Sequence, residues 1–356
     1  MVNGSAYIDT SPSTPFQWPT VPVLNSTAWE YWYFDGVSLD GTAGVTIVFF
    51  RDPSLATEGL GIMRVSLDAV WSNGTKFTTV MLANDSVVEQ CGDRTTGTWT
   101  GPGMACSFEF TQNAAATIAL AGVGITGEAV SGTYSLTSFS TARYPDGTSY
   151  PSRAASVELA PLIYWNEGVP GGNVRTDVVL AGSSLAFAGI GGTDRNWGPF
   201  TWDYVADHWW WLRAVAGPYT LVFWKFASPI DGKTHTYSYL EEHGVPVFTS
   251  TVEGAAAGGN GDYAAFELLY GGALHGSFAD LSTGFQVGLH SPKRGKSWSF
   301  EVQHVHIVFE APQGNDQYSR FVNTAKGGEV GCQVFTGVCK SEQNKIVQVP
   351  PMPQEE

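Results

Sequence analysis

Charged side chains are scarce in this sequence, and basic ones are the scarcest. Charged residues make up 14% of the 356 positions, and 18 Lys and Arg stand against 33 Asp and Glu, which gives a formal net charge of −15. Because such a surface repels phosphate backbones, nucleic acid is not expected as a partner. Hydrophobic residues account for 43% of the chain, which excludes a largely disordered protein.

Long apolar runs and helical periodicity are also missing. No run approaches the roughly 18 apolar residues that a membrane-spanning helix needs. No segment repeats its apolar residues with a sustained period of about 3.6. The 42 Gly and 19 Pro interrupt the chain too often for long helices. The sequence therefore predicts neither a membrane span nor a helical fold.

Cysteine is rare, and its four positions fall into two close pairs. The predicted disulfides join Cys91 to Cys106 and Cys332 to Cys339. N-x-[ST] sequons begin at Asn3, Asn25, Asn73 and Asn84, and glycosylation is predicted at the last three. These features favour the secretory pathway or secretion, with a leader removed ahead of Met1, and a cytoplasmic location is the alternative.

Short apolar segments of strand length alternate with turn signals along the chain. They include GVTIVFFRD, KFTTVML and ATIALAG in the first half, and YTLVFWKFAS, GFQVGLHS and WSFEVQHVHIVFE in the second. This pattern is typical of antiparallel sandwiches and barrels, so an all-β fold is predicted.

The length of the chain predicts about two domains. The stretch ARYPDGTSYPSRAAS loosens the strand pattern and is interpreted as a connector. We therefore predict an N-terminal β domain over residues 1–160 and a C-terminal β-barrel domain over residues 161–356. Residues 1–28 are predicted to form an extended lead-in, and the tail after Cys339 a surface strap or a disordered end.

The common motifs of phosphate, acyl and zinc chemistry are absent. GVGITG at residues 122–127 matches the spacing of a dinucleotide-binding loop, but EAVSGTYSL follows where a helix must begin, so the match is rejected. The sequence contains no P-loop, no G-x-S-x-G, no H-E-x-x-H and no C-x-x-C. We therefore predict an activity that needs no metal and no redox cofactor.

Two histidines stand two residues apart in VQHVHIVF. The two-residue period of a strand directs His304 and His306 to one face, where they could present their imidazoles to a metal. A third ligand is not evident. Hydrogen-bonding or acid/base work in a pocket and a purely structural role are the other interpretations.

The segment WEYWYFD separates its side chains by parity. One face of the predicted strand carries Trp29, Tyr31, Tyr33 and Asp35, and the other carries Glu30, Trp32 and Phe34. One face can pack a core while the other lines a cavity with rings and hydroxyls, but alternation alone does not say which.

The densest aromatic region is RNWGPFTWDYVADHWWWLR, residues 195–213. Three consecutive tryptophans, residues 209–211, direct indoles to both faces of a strand, whereas Trp197 and Trp202 fall in a preceding loop where no core demands them. These loop tryptophans form either a lid over a barrel end or a stacking wall for a polyene, aromatic or terpenoid ligand.

Taken together, WEYWYFDG, GVTIVFFRDP, RNWG and HWWWLRAVAGPY resemble a two-domain, lipocalin-like family. That family includes carotenoid hydratase-type proteins and the fungal Diels-Alderases, and the likeness runs from about residue 28 to about residue 310. The resemblance implies two lipocalin-like β domains, a substrate pocket between them and no cofactor.

The resemblance also implies which residues line the pocket. We predict polar, catalytic roles for Tyr31, Tyr33, Asp68, Arg51 and His304. Substrate binding by stacking is predicted for Trp165, Trp197, Trp202, Trp211 and Trp298. Tyr33 stands where some relatives carry a carboxylate, which removes a potential anion.

The expected activity is a stereoselective [4+2] cycloaddition. The sequons and paired cysteines are similar to the branch that couples a quinone methide to a terpene between molecules, so the expected partners are apolar polyene or terpenoid and quinone-methide-type small molecules. The alternatives are an intramolecular decalin-forming Diels-Alderase, a non-catalytic carrier of apolar ligands, and an isoprenoid hydratase. The hydratase requires a general acid, for which Asp35, Asp68 and His304 are candidates.

Overall fold

The chain forms two large antiparallel sheets, each rolled into a nearly closed barrel. The structure, a computed structural model, describes residues 3–54, 59–255, 260–311 and 317–346. The strands of the first sheet are β1 (Trp29–Ser38), β2 (Gly44–Arg51), β3 (Met63–Val70), β4 (Lys76–Ala83), β5 (Asp85–Cys91), β6 (Arg94–Gly101), β7 (Met104–Thr111), β8 (Ala115–Val123), β9 (Ala129–Ser138), β10 (Glu158–Ala160), β11 (Ile163–Leu180) and β12 (Ser183–Gly198).

A four-residue helix, α1 (Trp202–Val205), leads into the second sheet. Its strands are β13 (His208–Ala216), β14 (Tyr219–Ala227), β15 (Thr234–Glu242), β16 (Val245–Ser250), β17 (Tyr263–Leu269), β18 (Gly284–Ser291), β19 (Lys296–Ala311), β20 (Tyr318–Glu329) and β21 (Phe335–Lys345). The predicted all-β fold is confirmed. In the described ranges no helix has the length and apolar character needed to cross a membrane.

The order of strands places β21 at the centre of the second sheet and β1 in the interior of the first, between β2 and β12. The first sheet runs β4-β3-β2-β1-β12-β11-β9-β8-β7-β6-β5, with β10 added on β11. The second runs β16-β15-β14-β13-β21-β20-β19-β18-β17. The tail after Cys339 was predicted to be a surface strap or disordered, and this is wrong through residue 345, because β21 pairs with both β13 and β20.

Each barrel encloses its own aromatic core, because alternate residues of each strand point inward. Trp32 and Phe34 of β1 lie in the first core, where Phe34 stacks on Phe110 with ring centroids 5.4 Å apart. Phe223 stacks on Phe266 in the second core at 4.9 Å. Fully burying one such side chain contributes about 1.5–3 kcal/mol, so these inward faces supply much of the folding free energy.

The N-terminal segment, predicted as a lead-in, is packed over one end of the first barrel. Phe16 and Val21 are buried there in a cluster with Tyr144 and Trp197. The Trp197 indole donates to the carbonyl oxygen of Asp9 over 3.0 Å. The segment is therefore part of the first barrel's core packing.

The boundary between the two sheets differs from the division predicted near residue 160. Strands β11 and β12, which follow that point, pair with β9 and β1 of the first sheet. The chain enters the second sheet only after residue 198, at β13. The stretch interpreted as a connector instead packs Ala142 and Tyr144 against the first barrel's end.

The predicted disulfides are wrong in this structure, where all four cysteines, which lie in described residues, are free. Cys106 faces the first core and Cys339 the second, whereas Cys91 and Cys332 are exposed. Each predicted pair thus joins a buried residue to an exposed one. Of the predicted glycosylation sites, Asn73 and Asn84 are exposed and Asn25 is partly buried. The amide oxygen of Asn25 accepts hydrogen bonds from the backbone N–H groups of Thr27 and Ala28. Glycosylation at these three residues stays a prediction.

Candidate active site between the two barrels

The outer face of β1 lies against the outer face of the second barrel. Tyr33 packs edge-on against Trp211 of β13, with ring centroids 5.9 Å apart. Trp29 and Tyr33 belong to a buried cluster with residues of both barrels, while Trp32 and Phe34 face the first core. The predicted parity of WEYWYFD is confirmed, and its Trp29-to-Asp35 face forms one wall of the space between the barrels, which we call the cleft.

A buried hydrogen-bonded cluster crosses the cleft. Tyr33 Oη donates to Glu342 Oε1 over 2.8 Å, and Tyr318 Oη donates to Glu342 Oε2 over 2.6 Å. Arg320 donates through Nε to Glu342 Oε1 at 3.0 Å and through Nη1 to Asp68 Oδ2 at 2.7 Å. Tyr33 and Asp68 come from the first barrel and the other three from the second, so the cluster joins the domains.

The protonation of this cluster follows from its burial. Burial, reinforced by the nearby Glu342 carboxylate, raises the pKa of Tyr33 well above its usual value. Burial likewise raises the pKa of Tyr318. Burial raises the pKa of Asp68 from its ordinary value, against the opposing effect of Arg320. Both phenols are therefore neutral donors at physiological pH.

Lys340 projects from β21 beside this cluster. It is 1% exposed, and its Nζ has no hydrogen-bond partner among the described residues. Burial lowers the pKa of Lys340 to about 7, against the effect of the nearby Glu342 and Asp68. Together with Asp35 and Arg213 it lines a cavity of about 10 Å³. The cleft thus holds a cation that titrates near neutrality.

A second ion-pair group lies deeper in the cleft. Arg213 of β13 donates to Asp35 Oδ2 and, over 2.9 Å, to Glu167 Oε2. A Cβ on Gly192 would come within 2.5 Å of Arg213 Nε, so the guanidinium fits only because residue 192 is glycine. Removing one partner of a buried pair costs about 3–5 kcal/mol, so this group fixes the barrels together.

An aromatic wall faces these polar groups. Trp165 of β11 packs perpendicular to Trp224 of β14 at 5.0 Å, and its indole donates to Asp194 Oδ2 over 2.9 Å. The indole nitrogens of Trp211 and Trp224 are buried without a hydrogen-bond partner in the described part of the chain. Since buried donors are normally paired, these two N–H groups are available to a bound acceptor.

Trp202 of α1 closes one end of the cleft. Its ring stacks on Trp29 at 5.0 Å and lies 4.9 Å from Trp209. Its indole donates to Tyr31 Oη over 3.2 Å, and Tyr31 Oη donates to Asp52 Oδ2 over 2.9 Å. Trp202 remains partly exposed, whereas Trp29 is fully buried.

The predicted catalytic residues separate into two groups. Tyr31, Tyr33 and Asp68 lie in the cleft, but Arg51 and His304 do not. Arg51 pairs with Glu30 over 2.6 Å, and Glu30 also pairs with Arg195 over 2.7 Å at the end of the first barrel. Arg51 therefore belongs to the ion-pair network that links the WEYW and RNW motifs.

The prediction that His304 and His306 share one face is wrong, because a β-bulge lies between them. His304 stacks on Phe321 at 3.8 Å with its Nδ1 2.7 Å from Asn323 Oδ1, and burial lowers the pKa of His304 to about 4. His306 instead lies 3.3 Å from the carbonyl oxygen of Ser72. A neutral, stacked imidazole such as His304 is a structural residue.

The predicted stacking residues also divide. Trp165, Trp202 and Trp211 lie in the cleft cluster. Trp298 lies in the second barrel's core beside Phe248, and Trp197 lies on β12 under the N-terminal segment, not in a loop. Trp197 and Trp298 are thus core tryptophans away from the cleft.

Sequence reasoning missed the second barrel's polar contribution. Lys340 and Glu342 share one face of β21, and Tyr318 and Arg320 share the same face of β20. The available signal was the two-residue spacing of charged residues in a tail that otherwise resembles a strand. Interpreting that tail as a surface strap hid this signal. Asp194 directly precedes the motif RNWG, and no spacing or pattern in the sequence singles it out.

A two-barrel protein with an aromatic, ion-paired cleft between its domains is the class that this fold and site define. The sequence matches the Diels-Alderase-like family over residues 2–350. It is 35% identical over 339 residues to the Diels-Alderase ffsF of Aspergillus flavipes, covering 94% of this chain and 81% of that one. It is 35% identical over 329 residues to the Diels-Alderase phmD of Phaeosphaeria nodorum, covering 91% and 89%.

The fold has a close counterpart among solved structures. The crystal structure of CghA with Sch210972 superposes with a TM-score of 0.80 at 23% identity, covering 98% of both chains. This chain belongs to the Diels-Alderase-like family, and the expected lipocalin-like fold and family resemblance are confirmed. It is a Diels-Alderase-like enzyme, as its relatives' names indicate.

Proposed function

We propose that the protein catalyses a stereoselective [4+2] cycloaddition of an apolar, carbonyl-conjugated substrate in the cleft between its barrels. The observation that carries this proposal is the buried Tyr33–Glu342–Arg320–Asp68 cluster, set within an aromatic layer and built by both domains. Family membership supports the reaction class.

The residues act by two physical means. Holding diene and dienophile in reactive proximity is worth up to about 7–11 kcal/mol in well-oriented systems, and the aromatic wall of Trp165, Trp211 and Trp224 supplies that shape. Lys340 and the unpaired indole N–H groups place donors beside the wall. Donors aimed at a carbonyl that gains charge in the transition state stabilise it strongly in a dry site.

Binding requires the cleft to open, because its aromatic side chains pack against one another at centroid distances of about 5–6 Å. Trp202 is the cleft aromatic on the short helix α1 rather than on a sheet strand. A substrate that displaces it gains the stacking surfaces of Trp29 and Trp209. Closure over the substrate then excludes water from the reacting atoms.

More specifically, the proposed reaction is the coupling of a quinone methide to a terpene. The alternative is the intramolecular formation of a decalin. The sequons support the coupling of a quinone methide to a terpene. The cysteines do not support it, because they are free rather than paired. A quinone methide carries the carbonyl that Lys340 and the indole donors suit, and a terpene suits the aromatic wall.

The test incubates the purified protein with a linear polyene enone and, separately, with a quinone-methide precursor plus a cyclic terpene. Product stereoisomer ratios and initial rates are compared with no protein and with two variants, Glu342→Gln in the cluster and Glu301→Gln on the exposed face of β19. Selective acceleration of either reaction, lost in the first variant and kept in the second, supports the proposal. Unchanged ratios and rates in both reactions would leave a carrier, and water-derived oxygen in the product would indicate a hydratase.

The three acids considered for a hydratase are engaged otherwise. Asp35 is paired with Arg213, Asp68 with Arg320, and the low pKa of His304, about 4, keeps it neutral. None of these three offers a proton to an alkene in this arrangement, so their contacts do not support the hydratase role considered for them.

A further inference from the structure

The carboxyl groups of the cleft differ in what neutralises them. Asp35 and Glu167 share Arg213, and Asp68 and Glu342 share Arg320. Asp194 forms no ion pair with any described residue, and the hydrogen bond that its side chain receives comes from the neutral indole of Trp165, 2.9 Å from Oδ2. It is 4% exposed. A buried carboxylate without a cation is strongly disfavoured, so this geometry selects the neutral acid.

Asp194 lies where the polar cluster and the aromatic wall meet. On β12 it stands opposite Tyr33 of β1 and opposite Glu167 of β11. Asp194 thus neighbours Tyr33, whose phenol donates to Glu342, and Trp165, whose indole packs against Trp224. A carbonyl bound beside Trp165 would contact this carboxyl.

We propose that Asp194 is a further catalytic residue, whose neutral carboxyl donates a hydrogen bond to a carbonyl of the substrate and polarises the electron-poor partner of the cycloaddition. This role rests on the proposed function. The proton stays on Asp194 throughout, while the three π bonds of the reactants become two new σ bonds and one new π bond in the product. Trp165, by donating to Oδ2, is a positioning residue that leaves the other oxygen to carry the proton.

The charges around Asp194 fix the direction of its titration. Burial raises the pKa of Asp194 to about 8, and Glu342 of β21 adds to this, while Trp165 and Arg320 of β20 oppose it. Tyr33 on β1 and Glu167 on β11 also face it, and burial raises the pKa of both. Below about pH 8 the carboxyl is a donor; above it, ionisation removes the donor and places a negative charge beside the developing oxyanion.

The test compares pH–rate profiles of the wild type, Asp194→Asn, Asp194→Ala and the control Asp177→Asn, which changes an exposed aspartate on β11. An amide also donates but does not ionise. We expect Asp194→Asn to keep its rate at pH 7 within about tenfold and to lose the decline that the wild type shows above about pH 8. Asp194→Ala should lower kcat about 10- to 1000-fold. Lys340 titrates in all these proteins, so the comparison between them isolates Asp194.

A second readout does not depend on turnover. The infrared difference spectrum of wild type minus Asp194→Asn should show the band of a protonated carboxyl at pH 7, and this band should weaken as the pH rises past about 8; bands from Glu167 and Asp68, whose pKa values burial also raises, cancel in the difference. Three results would each overturn this proposal and leave the proposed function intact, provided that the wild type is active. They are a wild-type kcat in Asp194→Ala, the same alkaline decline in Asp194→Asn, and an ionised Asp194 at pH 7. Absence of any wild-type cycloaddition would instead overturn the proposed function, and with it this role.

Discussion

Tyr33 of the first barrel donates its phenol proton to Glu342 of the second over 2.8 Å, across a chain separation of 309 residues. Both side chains are nearly fully buried. A hydrogen bond between such distant segments forms only once both barrels are folded and docked. It therefore couples the shape of the cleft to the docking of the domains.

Removing this hydroxyl should affect rate more than affinity. Tyr33→Phe keeps the ring against Trp211 but leaves Glu342 with one donor fewer, so the charge cluster shifts. We expect kcat to fall about 10-fold or more with little change in KM. The free energy of unfolding should fall by about 1–3 kcal/mol. Single-turnover rates and urea melts measure both, with the exposed Tyr270→Phe as control; wild-type kcat in Tyr33→Phe would remove the phenol from the mechanism.

Trp202 and Trp298 should give opposite outcomes. Trp202 is a partly exposed end wall of the cleft, so Trp202→Ala should keep a cooperative melt and lose stereoselectivity. Trp298 is buried in the second core, so Trp298→Ala should cost about 3–5 kcal/mol of stability and leave the stereoisomer ratio of the folded fraction unchanged. Calorimetry and chiral chromatography separate the two. Trp202 would have only a packing role if Trp202→Ala unfolded and Trp202→Phe recovered both the cooperative melt and the stereoselectivity.

Lys340 should make stability depend on pH. Its pKa is lowered to about 7 in the folded protein from an ordinary value of 10.5, so between these pH values the unfolded state binds more protons. The free energy of unfolding should therefore rise with pH across this window, by up to about 1.4 kcal/mol per pH unit from this group. Lys340→Met should remove that rise, as urea melts at pH 7, 8 and 9 would show. An identical slope in wild type and variant would mean that Lys340 is not desolvated.

The cysteines should react in two classes. Burial raises the pKa of Cys106 to about 11 and that of Cys339 higher still, whereas Cys91 and Cys332 are exposed. Since the thiolate is the reactive form, native protein should take up two alkyl groups rapidly and four after denaturation. Intact-mass spectrometry counts them. Protein that accepts none without a reductant would instead contain the two disulfides predicted from sequence.

The sequence was informative where strand periodicity decides the outcome. Parity alone separated Tyr31, Tyr33 and Asp35 from Trp32 and Phe34, because successive side chains of a strand alternate. Parity failed at His304 and His306, because a β-bulge adds a residue and breaks the alternation.

Contacts between distant strands were beyond sequence reasoning. Glu342 and Arg320 meet Tyr33 and Asp68 only because two sheets pack face to face, and no local pattern reports that packing. Trp298 and Trp197 show the converse: an aromatic residue can suit a core or a ligand wall equally well, and only the fold decides.

The central claim, that cycloaddition takes place between the barrels, is tested most directly by a crystal structure of the protein with its product. The account predicts product density in the cleft, in contact with Trp165 and Trp211 and with an oxygen within hydrogen-bond distance of Asp194, Lys340 or Tyr33, and with Trp202 displaced. Product bound inside either barrel, with the Tyr33–Glu342 hydrogen bond and the Trp202 stack unchanged, would contradict it.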